Sequence, residues 1–173
     1  DVGKIEQPSF FIENRARGGG GYEDLDPEKS ALMVAAHVEN GVELARRYNL
    51  PEEITDIIRQ HHGTMIIKYF YAQALERRRN GEREGEVEEG AFRYHGEKPR
   101  SKEAAIIMLG DALESALRSP GPAGTMNPEK VIGDVIEERR KDGQLDECEL
   151  TLRDLELVRR SFMEVTSGAG HER

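Results

Sequence analysis

The chain carries a single cysteine, Cys148, in 173 residues. An intrachain disulfide is therefore impossible, and a closed structural zinc site built on thiolates is disfavoured. Long apolar runs are missing as well. The longest, such as Ala31–Ala36, fall far short of the roughly 20 residues that a membrane span needs. Bases are in deficit, with 25 Lys and Arg against 34 Asp and Glu and a net charge of −9. No face is obviously basic, so a DNA or RNA coat and a membrane-surface role are disfavoured, whereas a phosphate substrate held through metal ions is not. Strand patterns and internal repeats are absent. Gly18–Gly21 lacks the strand and the Lys-Ser/Thr context of a phosphate loop, so it reads as a flexible loop. What remains is a soluble chain of a reducing compartment, expected to fold as one domain.

What is present is helical. Leu, Ile, Val and Phe recur in periodic blocks, which argues against disorder throughout. Asp26-Pro27-Glu28 combines an N-cap, a Pro at the first helical position and an early acid, opening a helix to about Tyr48. Leu50-Pro51-Glu52-Glu53 opens a short second helix with Ile54, Ile57 and Ile58 on one face. A third is expected from about Thr64 to Arg79, closed by Arg77-Arg78-Arg79-Asn80-Gly81. Gly81–Gly90 collapses to Glu, Arg and Gly with only Val87 apolar, and reads as a mobile loop or solvated helix extension outside the core. Ser101-Lys102-Glu103 starts a fourth helix to about Leu117, and Arg118–Thr125 is a Pro/Gly connection. Asn127-Pro128-Glu129 caps a fifth ending near Lys141, and Thr151-Leu152-Arg153-Asp154 opens a sixth to about Val165. Ser167–Arg173 is expected to fray. The fold class is all-α. The opening Asp1-Val2-Gly3-Lys4-Ile5 has neither Met nor cap, as in a fragment of a longer protein.

Three features carry chemistry. His61 and His62 are adjacent, at the end of the second helix, where Gly63 lets the chain turn. Mid-helix the two rings would diverge by about 100°, but at a helix end they can converge on one metal. The competing reading is a surface polar pair suited to the helix dipole. His37 has Met33, Val34, Gly41 and Leu44 as its helical neighbours and so faces the core, beside a Gly that leaves room. It reads either as a core histidine bonded to a carbonyl or as a ligand. Asp111 follows Ala104-Ala105-Ile106-Ile107-Met108-Leu109-Gly110, apolar on every helical face, where a carboxylate is costly unless an Arg or a metal meets it. Together these imidazoles and carboxylates would suit Fe, Mn, Zn or Co. Two such metals would activate water against a phosphodiester and stabilise both entering and leaving oxygens. His95 and His171 read as surface residues, Cys148 has no His partner at a recognisable spacing, and Asp146, Glu147 and Glu149 read as a solvated acidic turn.

In order and spacing, Asp1-Val2-Gly3-Lys4-Ile5, His37, His61-His62-Gly63-Thr64 and Asp111 resemble the HD-domain phosphohydrolase pattern. Four further blocks narrow the resemblance: Phe10–Asn14, Gly41–Ala45, Ile66–Tyr71 and Asp142–Cys148. They resemble the intracellular HD domain of seven-transmembrane-receptor HD hydrolases, the PgpH-type cyclic-di-AMP phosphodiesterases. The likeness spans nearly all of residues 1–173 and weakens at Arg15–Tyr22 and Gly81–Gly90.

The resemblance implies an HD-type helical bundle with a di-metal centre, iron or manganese, that hydrolyses cyclic di-AMP to 5′-pApA. Asp1 would bridge both metals, with its partner His one residue before the chain. His37, His61 and His62 would complete one metal, and Asp111 would bind the other with two upstream His. On that pattern this fragment would retain one metal and be catalytically impaired. Lys4 would meet a substrate phosphate oxygen, or be an ordinary surface lysine. Relatives that cleave cyclic di-GMP follow the His pair with an acid and Gly-Tyr-Pro; here Gly63-Thr64-Met65 follows, which favours cyclic di-AMP. The parent would be membrane-anchored with this domain on the cytoplasmic side. Two alternatives stay open: an HD phosphohydrolase for another nucleotide, and an HD module that binds a nucleotide or a partner helix without turnover.

Overall fold

In the computed structural model, which describes residues 1–6, 25–82, 84–118 and 127–168, six α-helices and no named strand are present among those residues. They are α1 (Pro27–Arg47), α2 (Glu52–Gln60), α3 (Lys68–Arg79), α4 (Lys102–Arg118), α5 (Pro128–Lys141) and α6 (Leu152–Gly168), with 3₁₀ turns at Val2–Glu6 and Glu89–Phe92. None of the helices is long and apolar enough to cross a membrane. Phe10–Asn14, Gly18–Gly21, most of Arg118–Thr125 and the tail with His171 lie outside the described residues. The chain divides into two units, Asp1–Glu97 and Lys98–Arg173.

In the first unit α1 is the organising element. The Asp26 carboxylate accepts the Glu28 N–H at 3.0 Å, Pro27 opens the helix, and Arg46 and Arg47 sit at its negative end. It stops where Asn49 takes a left-handed φ of 51°, letting the N–H groups of Asn49 and Leu50 close on the carbonyls of Arg46 and Ala45. One face of α1 joins Ala31 to Phe70, Ala74 and Phe92. Further along, Val42 and Ala45 pack with Ile58 of α2.

The third helix begins later than the periodicity predicts, at Lys68 rather than near Thr64. Gly63 adopts φ 52°, and Ile66 pairs as an isolated antiparallel bridge with Arg93, which keeps the β-branched Ile66-Ile67 pair out of the helix. Residues 84–88 carry no regular structure. Val87, the one apolar residue of that acidic stretch, nevertheless packs against the Phe70–Phe92 cluster, so the stretch is tied to the core at that point.

The second unit is a three-helix arrangement around Leu109, Ala112, Val135 and Val158. The Ser101 hydroxyl accepts from Ala104 at the start of α4, and the Asn127 side chain accepts from Glu129 and Lys130 at the start of α5. Although residues 104–109 are apolar all round, α4 buries one face only; Ile106 and Ile107 are 37% and 42% exposed. Asp111 is partly rather than fully buried.

At the start of α6, Thr151 and Asp154 exchange reciprocal hydrogen bonds: the Asp154 carboxylate accepts the Thr151 N–H at 2.9 Å, and the Thr151 hydroxyl accepts the Asp154 N–H at 3.1 Å. Lys102 of α4 donates to the same carboxylate at 2.8 Å. Lys102 first and the Thr151 donors next hold the Asp154 carboxyl well below its ordinary range. A carboxyl depressed in the folded state contributes stability above its unfolded pKa, about 4, and loses it as the pH falls below that. Asp154→Asn should therefore melt at a lower temperature than the parent chain at pH 6, and the gap should narrow from pH 4 downward. A gap in melting temperature that stays constant from pH 6 to pH 3 would show that the charge is not what holds this junction.

Candidate metal centre

Four residues converge in the first unit. One ligand atom each from Asp1, His37, His61 and His62 lies within 4.8 Å of the others. His37 comes from the buried face of α1 and His61 from the residue that caps α2, with His62 and the Gly63 turn immediately after. His37 and His61 are only 2% and 4% exposed, and His62 is partly buried, so the surface reading of the pair does not hold.

The rings are oriented by backbone carbonyls. His37 Nδ1 lies 2.6 Å from the Val34 oxygen, and His61 Nδ1 lies 2.7 Å from the Ile58 oxygen. A carbonyl only accepts, so each Nδ1 carries the hydrogen and each Nε2 presents a lone pair. The two readings of His37, core histidine or ligand, are thus compatible: one nitrogen is anchored and the other faces the site. The two Nε2 atoms stand 3.2 Å apart, and the Asp1 Oδ1 lies 3.5 Å from each.

Electrostatics decides what this geometry is for. Lone pairs and a carboxylate oxygen at these separations repel unless a proton or a cation joins them. A second proton would make a buried imidazolium. Burial pushes the His37 pKa down to about 3, against the opposing pull of the Val34 carbonyl, and His61 lowers it further. Burial likewise, then His61 and His37, lower His62 well below its usual value. His37 and His62 are therefore neutral near pH 7, the protonation state a metal requires. Three imidazoles and one carboxylate fit a divalent cation of borderline softness.

Asp1 divides its two oxygens. Oδ1 faces the histidines, while Oδ2 accepts from Lys4 Nζ at 2.9 Å. Lys4 is therefore paired within the site rather than an isolated surface lysine. Asp111 lies on α4 in the second unit and is not among the four converging residues. His95 is exposed, Cys148 bonds the Leu145 carbonyl at 3.2 Å, and Asp146, Glu147 and Glu149 are exposed.

Two residues went unnoticed in the sequence. Tyr94 stacks on His62, with ring centroids 4.2 Å apart; nothing local to Tyr94 signals this, because its partner lies far along the chain. Gly3 sits in the 3₁₀ turn that presents Asp1, and a Cβ there would come within 1.9 Å of the His37 carbonyl oxygen and 2.6 Å of the Gly41 nitrogen. The room beside Gly41 is taken first by the Ile58 side chain, 2.9 Å from where a Cβ would stand, and then by the Gly3 backbone at 3.3 Å. A Gly two residues after a candidate ligand was the available signal.

A cluster of histidines and a carboxylate able to hold a metal, on a helical bundle, is the class that fold and site define. Residues 1–116 match the HD domain family, and the chain belongs to it. It is 36% identical to the cyclic-di-AMP phosphodiesterase PgpH of Bacillus subtilis over 173 residues, all of this chain and 24% of that protein. The crystal structure of the PgpH HD domain from L. monocytogenes superposes with a TM-score of 0.87 at 34% identity, covering 99% of this chain and 77% of that one. A second crystal structure of that domain, in complex with cyclic-di-AMP, gives the same score and identity over 98% and 76%. The chain thus spans about a quarter of the curated relatives it matches (24% and 23%).

Gly3→Ala tests how the carboxylate is placed. The turn must move off α1 to admit the methyl group, so the variant should lose about 1–3 kcal/mol of stability. It should also bind Mn²⁺ roughly tenfold or more weakly, as read by calorimetric titration. Unchanged Mn²⁺ affinity would show that Asp1 does not need this close approach.

Proposed function

We propose that this chain is the catalytic domain of a metal-dependent phosphodiesterase that hydrolyses cyclic di-AMP to 5′-pApA. One observation carries the reading: Asp1, His37, His61 and His62 converge within 4.8 Å in a chain 34% identical to an HD domain crystallised with cyclic-di-AMP. Iron or manganese suits the nitrogen and oxygen donors, with His37, His61, His62 and Asp1 as ligands. When bound, such a metal acidifies water and draws charge from phosphodiester oxygens.

The protein's own residues supply the rest. Burial keeps His37 and His62 neutral, so neither has to lose a proton before it acts as a ligand. The carbonyls of Val34 and Ile58 hold two rings in place. Lys4, paired with the Asp1 carboxylate, would supply a positive charge to a substrate phosphate oxygen. Asp111 enters on the sequence pattern, as the carboxylate of a second metal. Gly63-Thr64-Met65 after the histidine pair supports the adenine dinucleotide over the guanine one. The net charge of −9 disfavours a nucleic-acid polymer as partner. The same reading places the domain on the cytoplasmic side of a membrane-anchored parent.

Turnover should be followed in the longer parent protein, by chromatography with Mn²⁺ or Fe²⁺ supplied and cyclic di-GMP run in parallel. Cyclic di-AMP should be the faster substrate. A His61→Ala, His62→Ala double variant should lose bound metal, and it and Asp111→Ala should each fall by about a hundredfold or more in rate. Tight cyclic di-AMP binding without product would mark a non-catalytic module, and faster cleavage of cyclic di-GMP would overturn the substrate assignment.

A further inference from the structure

His62 is held by rings. Its imidazole centroid lies 4.0 Å from that of His61 at an interplanar angle of 37°, and 4.2 Å from the Tyr94 ring at 19°. Two rings at such distances do not fit on one face of an imidazole, so His62 lies between them. His37 meets all three edge-on, at 71° to His61, 81° to His62 and 89° to Tyr94.

Tyr94 is itself fixed by the backbone. Its N–H donates to the Met65 carbonyl at 2.9 Å, and Ile67 donates to the Phe92 carbonyl at 2.7 Å. Arg93 between them pairs with Ile66 and reaches the Thr64 carbonyl with its guanidinium at 2.8 Å. Phe92 is wholly buried. The strip that carries Tyr94 is therefore pinned to the segment that directly follows the histidine pair.

The last torsion of a histidine is soft, because sp³–sp² torsions have broad wells. A ligand ring therefore needs an outside constraint to aim its nitrogen. His37 and His61 obtain one from helix carbonyls. We infer that Tyr94 is a positioning residue for His62, its aromatic face setting the plane of that ligand. The inference rests on the metal-site reading above, and it requires the ring of Tyr94 but not its hydroxyl.

The test uses the 173-residue chain and Co²⁺ as probe, read by affinity and by the visible d–d bands, with circular dichroism and melting to establish folding. Tyr94→Phe should keep both the affinity and the band positions. Tyr94→Leu and Tyr94→Gln, either of which suffices if the other fails to fold, should bind about 10- to 100-fold more weakly with shifted bands. Folded Leu or Gln variants that match the parent would overturn the inference while leaving the metal site standing. A Phe variant as weak as Leu would overturn it too, by assigning the effect to the hydroxyl. A parent chain that binds no Co²⁺ would remove the metal reading, and the inference with it.

Discussion

The structure depends on two buried imidazole nitrogens held face to face. Each ring spends its Nδ1 hydrogen on a carbonyl of its own helix, which forces the Nε2 lone pairs of His37 and His61 together at 3.2 Å. Burial closes the alternative of protonation at His37, and the Asp1 carboxylate, 3.5 Å from both, adds charge of the same sign. Such an arrangement is repulsive in isolation and favourable around a cation. Holding it together without one falls to the surrounding packing.

That packing explains why α1 is so heavily specified. An aspartate cap, a proline at the first position and a left-handed asparagine stop fix both ends, so the axial position of His37 is settled by local chemistry. The helix is then gripped by Phe70, Ala74 and Phe92 near its start and by Ile58 further on. Gly3 lets the turn bearing Asp1 lie against its backbone, where any side chain would collide. Metal affinity and stability in this unit are thus two consequences of one set of contacts.

The second unit is built on ordinary helix chemistry: two side-chain caps, a reciprocal Thr151–Asp154 pair and a small apolar centre. Its helix starts were legible almost residue by residue, because caps are local and their residues seldom occur in that order by accident, whereas α6 runs on to Gly168, past the expected end near Val165. The start of α3 was not. Nothing near Thr64 announces that Ile66 will pair with Arg93, and the extended pairing defeats a good helical period. Val87 was likewise hidden, since one apolar residue in an acidic stretch gives no period to read.

The family resemblance supplied Asp1. By itself the sequence determined the all-α class, the helix ends set by Asp26, Asn127 and Thr151, and the histidines of the site, His37, His61 and His62. These follow from spacing and capping, which act within a few residues. Only the tertiary structure decided which nitrogen of each histidine faces the site, that the pair is buried, and that Lys4 holds the second oxygen of Asp1. It alone brought Tyr94 against His62 and Gly3 against α1. The reason is physical: tautomer, desolvation and stacking depend on atoms that meet across the chain, and no local pattern encodes their distance.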